Sequence, residues 1–283
     1  MSLKTIQEIL FLSEQYLKSN GRERSRRDAE DLVAFVLKIK RLDLYLKYDF
    51  VLTDEELARL RPLLKRRAMG EPLDYIKGEV DFYGAVLNVN PSVLIPRVET
   101  EILADHVYRL IQASGRKKLK ILDLCCGSGC LGISLKKKIV DCEVLLVDLS
   151  FDALETCRMN VKKNSVDVRV QQGDFLACLK EEKFDVIVSN PPYISLEEYE
   201  RLDDEVKKEP KLALVADNNG CEFYDRLSES ARSYLSPQGL LCLEIGKDLG
   251  SYVYSLFSWN GIKYKKIEKD WAGHDRFFFL EME

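Results

Sequence analysis

Asn190-Pro191-Pro192-Tyr193 combines side chains suited to one kind of chemistry, holding a planar amino group against an electrophilic methyl. The nitrogen of an amide or a base is a poor nucleophile, because its lone pair is delocalised into a π-system. It has to be gripped through its N–H bonds and approached out of plane. Asn190 offers a side-chain oxygen for that purpose, and Pro191 a carbonyl whose direction is set by its locked φ. Tyr193 offers a flat, amphipathic ring on which a planar group can lie. A sulfonium donor leaves as a neutral thioether, so no strong general base is required and positioning carries the reaction. Asn190, Pro191 and Tyr193 are therefore the candidate catalytic residues, and Asn190, Pro191, Pro192 and Tyr193 the candidate substrate-binding ones. A plain strand-ending turn would use the same letters, since neither proline can donate to a ladder. The surroundings decide between the two.

Those surroundings read as a row of strand ends. Phe184, Val186, Ile187 and Val188 form a short apolar run, as a parallel strand buried on both faces should. Asn190 is left at its carboxyl end, where open α/β sheets bind ligands. Lys118 to Leu124 reads as a strand, followed by the tight turn Cys125-Cys126-Gly127-Ser128-Gly129 and a helix starting near Cys130. Gly127 and Gly129 let the backbone approach a ligand closely. Gly132 is left outside this motif, so the full dinucleotide fingerprint is not assigned. A strand over Glu143 to Val147 ends in Asp148, placed to accept from both ribose hydroxyls of an adenosyl ligand. Another, Val166 to Gln171, ends in Gly173-Asp174-Phe175, whose acid and aromatic suit an adenine edge and face. Each item has a duller reading as loop, cap or core, but four suitable strand ends in succession argue against all being dull at once. Gly239 to Ile245 supplies a fifth strand, and Lys263 to Ile267 with Phe277 to Met282 a closing hairpin. The fold class expected is α/β, a doubly wound, mostly parallel seven-stranded sheet.

Ahead of this sheet the periodicity is helical. Ile6, Ile9, Leu10, Tyr16 and Leu17 mark one face of a first helix. Ser25-x-x-Asp28 reads as a capping box before Leu32, Val33, Val36 and Leu37, and Thr53-x-x-Glu56 opens a later helix that Gly70-Glu71-Pro72 ends. From Tyr75 to Val89 the pattern turns strand-like, with Gly78 and Gly84 flanking Val80, Phe82 and Tyr83, as a β-hairpin would. Pro96 blocks a helix just before the run Glu99 to Ala113, and Arg97 and Glu99 either cap that helix or line the mouth of the site. The expected organisation is a small helical bundle over residues 1–72, a β-hairpin linker over 73–98 and the sheet domain over 99–283. The bundle is too small to hold a cofactor cleft easily, which leaves recognition of a partner or a structural cap as its role.

Composition sets the outer bounds. With 283 residues, 46% apolar and 32% charged, the chain is ordinary for a soluble protein of two domains. There is no apolar run long enough to span a bilayer, and Met1-Ser2-Leu3-Lys4 leads straight into an amphipathic segment, so neither membrane contact nor a signal peptide is read and a cytoplasmic location is expected. A net charge of −4 argues against a main substrate of bare nucleic acid. The eight cysteines, at 125, 126, 130, 142, 157, 178, 221 and 242, form no Cys-x-x-Cys pair and have no histidine at ligand spacing. They read as reduced core residues, and no metal site is expected.

The motifs together resemble the class I S-adenosylmethionine-dependent methyltransferases, and more narrowly the N5-glutamine methyltransferases of peptide chain release factors. The resemblance is carried by Gly70-Glu71-Pro72-Leu73-x-Tyr75-Ile76-x-Gly78, Leu94-Ile95-Pro96-Arg97-x-Glu99-Thr100-Glu101, Asp123-Leu124-Cys125-x-Gly127-Ser128-Gly129 and Asn190-Pro191-Pro192-Tyr193-Ile194. Glu209-Pro210-x-x-Ala213-Leu214 and Leu243-Glu244-Ile245-Gly246 complete it. Asn-Pro-Pro-Tyr is shared with DNA adenine methyltransferases, whereas the Leu-Ile-Pro-Arg and Glu-Pro segments are more particular to the glutamine enzymes. The resemblance implies a Rossmann-like class I methyltransferase domain using S-adenosyl-L-methionine, with S-adenosyl-L-homocysteine as its product. It implies methylation of the glutamine of a Gly-Gly-Gln loop in a release factor docked by the helical domain. Cys125, Cys126, Gly127, Ser128, Gly129, Asp148, Phe175 and Asn190 would hold the cofactor, and Asn190 to Tyr193 the glutamine. Phe175 stands where a tryptophan is common, Val98 where a proline is usual, and Val215-Ala216-Asp217-Asn218-Asn219 replaces a glycine-richer loop. The rival, an N6-adenine methyltransferase on DNA or RNA, would share the cofactor site and Asn190 to Tyr193. It should add a basic target-recognition region, which neither the net charge nor a long insertion provides, so no direct sequence-specific nucleic-acid binding is expected. A non-catalytic adenosyl-ligand binder would not require Asn190 to Tyr193 intact.

Overall fold

The computed structural model describes residues 4–180 and 182–283. They form two compact units. One is the chain up to Gly78 together with Asp203–Lys208, and the other is Glu79–Leu202 together with Glu209–Glu283.

The helical unit is built from α1 (Ile6–Ser19), α2 (Ser25–Leu37), α3 (Asp54–Ala68) and the short α4 (Leu73–Lys77). Its core gathers Ile9, Leu10, Leu32, Val33, Leu44 and Leu60. On α1 the buried stripe runs through Ile6, Ile9, Leu10, Ser13 and Leu17. Tyr16, expected on that face, lies past its edge and is exposed. Thr53 and Glu56 cap α3 reciprocally as the sequence suggests, with Thr53 N donating to Glu56 Oε2 at 2.7 Å. Ser25 and Asp28 do not form the expected box. Arg24 is the N-cap and makes no side-chain cap bond, while Asp28 accepts from Arg67 Nε at 2.6 Å. Both charges are buried, so each would be costly without the other. Arg67 also pairs with Glu205 at 2.8 Å, which fastens the segment Asp203–Lys208 into this unit.

The sheet unit opens with the antiparallel hairpin β1 (Glu79–Phe82) and β2 (Ala85–Asn88), followed by α5 (Val98–Ser114). Then come β3 (Leu119–Leu124), α6 (Cys130–Lys138), β4 (Cys142–Asp148), α7 (Phe151–Asn164), β5 (Arg169–Gln172) and β6 (Phe184–Ser189). Further on lie β7 (Leu235–Glu244), β8 (Ile262–Lys269) and β9 (Asp275–Met282). The sheet has the order β5-β4-β3-β6-β7-β9-β8. Strand β9 runs antiparallel to both of its neighbours, and the remaining pairings are parallel. Alternate residues of the apolar runs feed opposite cores: Ile121, Val144 and Val186 face one, Leu122, Leu145 and Ile187 the other. The chain winds outward from β3 to β5, then returns to lay β6 on the other side of β3. The crevice at the carboxyl ends of β3 and β6 is thus the switch point where open α/β sheets take ligands.

The β1–β2 hairpin turns through Tyr83 and Gly84, both with positive φ, 42° and 85°, as a two-residue I′ turn requires. Asn88 N donates to Asn160 Oδ1 at 2.6 Å and Val86 N to Asn164 Oδ1 at 3.2 Å, bracing the hairpin on α7. It therefore packs as part of the sheet unit rather than standing apart as a linker. Tyr75 and Ile76, expected at its start, lie in α4 of the helical unit. Among the described residues no helix is long and apolar enough to cross a membrane.

Candidate active site

A cavity of about 680 Å³ opens at the switch point, a volume ordinary for a small-molecule site. The turn after β3 forms one wall. Cys125, Gly127 and Gly129 all have positive φ, at 60°, 53° and 80°. Cys126 N donates to Val147 O at 3.0 Å and Gly127 N to Asp148 Oδ2 at 2.8 Å, lacing the turn onto the end of β4. A Cβ on Gly129 would sit 2.8 Å from Cys157 Sγ and from Ile133 Cδ1, so this glycine serves packing as well as the turn. Gly132 corrects the expectation that left it out. Gly127, Gly129 and Gly132 follow the complete G-x-G-x-x-G spacing. A Cβ on Gly132 would overlap Leu146 Cδ2 on β4, which makes it the glycine of close helix–strand approach.

Two acids stand at neighbouring strand ends. Asp148 Oδ2 and Oδ1 accept from the backbone N–H groups of Gly127 and Ser150, at 2.8 and 2.9 Å, and each oxygen keeps a lone pair for the cavity. Burial pushes the Asp148 carboxyl up, while the N–H groups of Ser150, Gly127 and Leu149 pull it down. Asp123, on β3, is 1% exposed and accepts from Gly132 N at 2.8 Å through Oδ2. Its Oδ1 is buried without a partner among the described residues, although the residue lines the cavity. At the far end Phe175 holds φ 55°, a region that a bulky residue rarely adopts. The Arg226 guanidinium lies 4.7 Å from the Phe175 ring centre and pairs with Asp174 at 2.6 Å.

Asn190 lies at the carboxyl end of β6, and Ser189 Oγ donates to Leu124 O at 2.6 Å to hold that end against β3. Asn190 Nδ2 donates to Thr100 Oγ1 at 3.0 Å. Thr100, in the first turn of α5, donates in turn to Glu244 Oε2 at 2.6 Å. The Tyr193 hydroxyl donates to Glu244 Oε1 at 3.1 Å. Burial pushes the Glu244 carboxyl up, against hydrogen bonds from Thr100 and Tyr193 and the nearby charge of Arg276. Asn190 Oδ1 has no protein partner among the described residues.

Of the residues singled out from sequence, Cys125, Cys126, Gly127, Ser128, Asp148, Phe175, Asn190 and Pro192 line the cavity. Gly129, Pro191 and Tyr193 do not. Gly129 is turned into the packing under the loop, and Tyr193 packs with the core on one face of the sheet. Arg97 and Glu99 are not on the wall either. Arg97 is bonded to the buried Glu209, which also accepts from Ile95 N at 2.9 Å, so the Pro-Arg and Glu-Pro segments clamp each other. The eight cysteines are free thiols, all within the sheet unit. Asp123, Thr100, Arg226 and Glu244 escaped the sequence reading as site residues. For Asp123 a signal was available, a lone acid inside an apolar strand directly before a glycine turn.

The residues fit an adenosyl ligand. Gly127 would meet no atom within 4 Å of an added Cβ, leaving the loop open on its cavity side, and the orphaned Asp123 Oδ1 calls for a donor. The strand order with β9 reversed, and the glycine turn and acids at its switch point, define the class as the class I methyltransferases. Residues 99–208 match the Methyltransferase small domain family and residues 8–78 the PrmC N-terminal domain family. A Geobacter sulfurreducens protein named release factor glutamine methyltransferase is 36% identical over 273 residues, 96% of this chain and 95% of its own length. One of the same name from Clostridium acetobutylicum is 34% identical over 276 residues, 96% of each. The crystal structure of a methyltransferase from Pyrococcus furiosus matches with a TM-score of 0.52 at 20% identity, over 81% of this chain and 98% of that one, a likeness of fold alone. The chain belongs to the release factor glutamine methyltransferase family.

Proposed function

We propose that this protein transfers the methyl group of S-adenosyl-L-methionine to the side-chain amide nitrogen, N5, of the glutamine in the Gly-Gly-Gln motif of a peptide chain release factor. The observation that carries the reading is the orientation of Asn190. Its NH₂ is engaged by Thr100, which leaves its oxygen to accept from a planar amide at the cavity. When bound, S-adenosyl-L-methionine supplies an electrophilic methyl on a positively charged sulfur.

The chain's own residues bind and aim. The turn Cys125 to Gly129 gives the backbone a close approach to the cofactor, Asp148 takes the ribose hydroxyls, and Asp123 Oδ1 takes the ammonium of the amino-acid part. Phe175, shelved under Arg226, and Asp174 take the adenine. Asn190 Oδ1 and the Pro191 carbonyl accept the two N–H bonds of the glutamine, Pro192 on the cavity wall stiffens the turn, and Tyr193, behind the wall, holds the stretch in place through its hydroxyl bond to Glu244. Both N–H bonds held in one plane turn the nitrogen's π lobe toward the donor, so catalysis rests on orientation. Among the described residues the cavity is lined by the sheet unit alone, which supports release-factor recognition as the role of the helical unit.

Labelled S-adenosyl-L-methionine offered with a release factor, with the same factor lacking that glutamine, and with duplex DNA tests this. Label is expected in the intact factor only. Label in DNA and none in the factor would transfer the reading to an adenine methyltransferase.

A further inference from the structure

Three stretches far apart in the chain meet at one buried carboxylate. Glu244 ends β7, Thr100 opens α5, and Asn190 ends β6. Glu244 and Thr100 are each 1% exposed, and no Lys or Arg among the described residues reaches ion-pair distance of Glu244. Arg276, whose charge influences it, is bonded to Asp270 and to the Ile245 carbonyl. A buried carboxylate without a paired cation has to be held by hydrogen-bond donors. Both bonds that Glu244 makes through its side chain are accepted ones, from Thr100 and from Tyr193.

We propose that Glu244 is a positioning residue which, through the Thr100 hydroxyl, fixes the Asn190 amide with its oxygen rather than its NH₂ toward the substrate. A threonine hydroxyl has one proton. Glu244 accepts it at 2.6 Å, so the oxygen of Thr100 faces Asn190 with lone pairs only. The group it can receive there is the Asn190 NH₂, at 3.0 Å. If the amide turned over, two acceptors would face each other and the substrate would meet a donor where its own N–H bonds need an acceptor. The second oxygen of Glu244 holds the Tyr193 hydroxyl, so one carboxylate sets both the polarity of Asn190 and the position of the ring. This polarity relay rests on the reading of Asn190 given above, and it adds two residues that act through Asn190.

Glu244→Gln is the informative variant, because it keeps the shape and reverses the polarity. Its NH₂ can donate to the Thr100 oxygen, which frees the threonine proton for Asn190 Oδ1 and lets the amide turn over. On the order of a tenfold to hundredfold loss in kcat is expected, the worth of one misdirected hydrogen bond, with KM for the release factor and affinity for S-adenosyl-L-methionine within about twofold of wild type. Thr100→Val is expected to lose a similar factor, and Thr100→Ser to recover most of it. A structural role alone would lower Tm in step with activity, whereas Glu244→Gln removes an unpaired buried charge and should not. Wild-type kcat in folded Glu244→Gln or folded Thr100→Val overturns the relay, and so does a Thr100→Ser protein no faster than Thr100→Val. Wild-type enzyme that leaves the release factor unmethylated in the same assay overturns the functional reading itself, and the relay with it.

Discussion

Replacing Asp123 by asparagine separates what its carboxylate does in folding from what it does in binding. Burial pushes its pKa up to about 7 from the ordinary 3.8, with the neighbouring Asp148 charge adding to the rise. Between about pH 4 and 7 the folded state therefore holds a proton that the unfolded state has released. Stability falls with rising pH wherever the native state binds more protons, so the carboxyl carries no penalty below about pH 4 and its full penalty above about pH 7. Roughly three pH decades at about 1.4 kcal/mol each give an upper bound near 4 kcal/mol. Asp123→Asn keeps an acceptor for Gly132 N, which lies 2.8 Å away, and removes the charge. At about pH 8 the variant is expected to exceed wild type by about 1–4 kcal/mol, several degrees in Tm for a chain of this size. By about pH 4 that gain is gone. Affinity for S-adenosyl-L-methionine moves the other way, by roughly ten- to a hundredfold, because a hydrogen bond to a charged group contributes about 1.5–3 kcal/mol. Calorimetric melting of both proteins across this pH range, with titration of the cofactor, reads both effects. Asp148 and Glu244 also have raised values, so the difference between the two melting curves is the quantity to follow. A difference independent of pH would refute the burial argument, and an unchanged Kd would take Asp123 out of the cofactor site.

Asp148→Ala leaves ribose hydroxyls without acceptors and is expected to weaken cofactor binding about ten- to a hundredfold, a loss of roughly 1–3 kcal/mol; titration calorimetry showing wild-type affinity would dismiss the assignment. Asn190→Asp puts a second carboxylate against Thr100 Oγ1, whose proton Glu244 already takes at 2.6 Å. The new charge favours the positive sulfonium of the ground state, so cofactor should bind at least as well while single-turnover kcat falls on the order of a hundredfold; full turnover would mean Asn190 merely ends a strand. Gly132→Ala drives a methyl into Leu146 and to 3.1 Å from Val144 Cγ1, and a loss of about 1–3 kcal/mol in folding stability is expected. A chemical-denaturation midpoint equal to wild type would show that α6 can lift off β4 freely.

The strands were legible because a buried parallel strand needs a nearly unbroken apolar run, and the chain has these at Ile121 to Leu124, Val144 to Val147 and Val186 to Val188. Strand ends follow from them, which is why Asp148 and Asn190 could be singled out from letters alone, whereas Phe175 follows the short, partly exposed β5. Local rules failed where a distant partner was stronger. Ser25-x-x-Asp28 has the letters of a capping box, but Asp28 bonds Arg67, 39 residues on, and a buried guanidinium outweighs a cap. The relay at Glu244 was hidden for the same reason. Thr100 and Glu244 both lie in motifs visible in the sequence, yet 144 residues separate them and only the sheet order brings them to 2.6 Å. Asp185, at the start of β6, shows the opposite case. Its place inside an apolar run is explained by Lys120 N, which donates to it at 2.7 Å across the strand pair.

Asp203–Lys208 is packed with the helices yet encoded between β6 and β7, and this threading imposes an order on biosynthesis. A nascent chain that has emerged only as far as Gly78 holds Arg67 and Asp28 but lacks Glu205. Arg67 can meet Asp28 as soon as α3 has emerged, but Glu205 joins them only after β6 and the Asn-Pro-Pro-Tyr stretch have also been translated. The helical part is thus the first to be made and among the last to be finished. Grafting the helices of another protein onto this chain would accordingly need two exchanges, the leading segment and residues 203–208. A donor without a cation at the place of Arg67 would leave Glu205 without its partner.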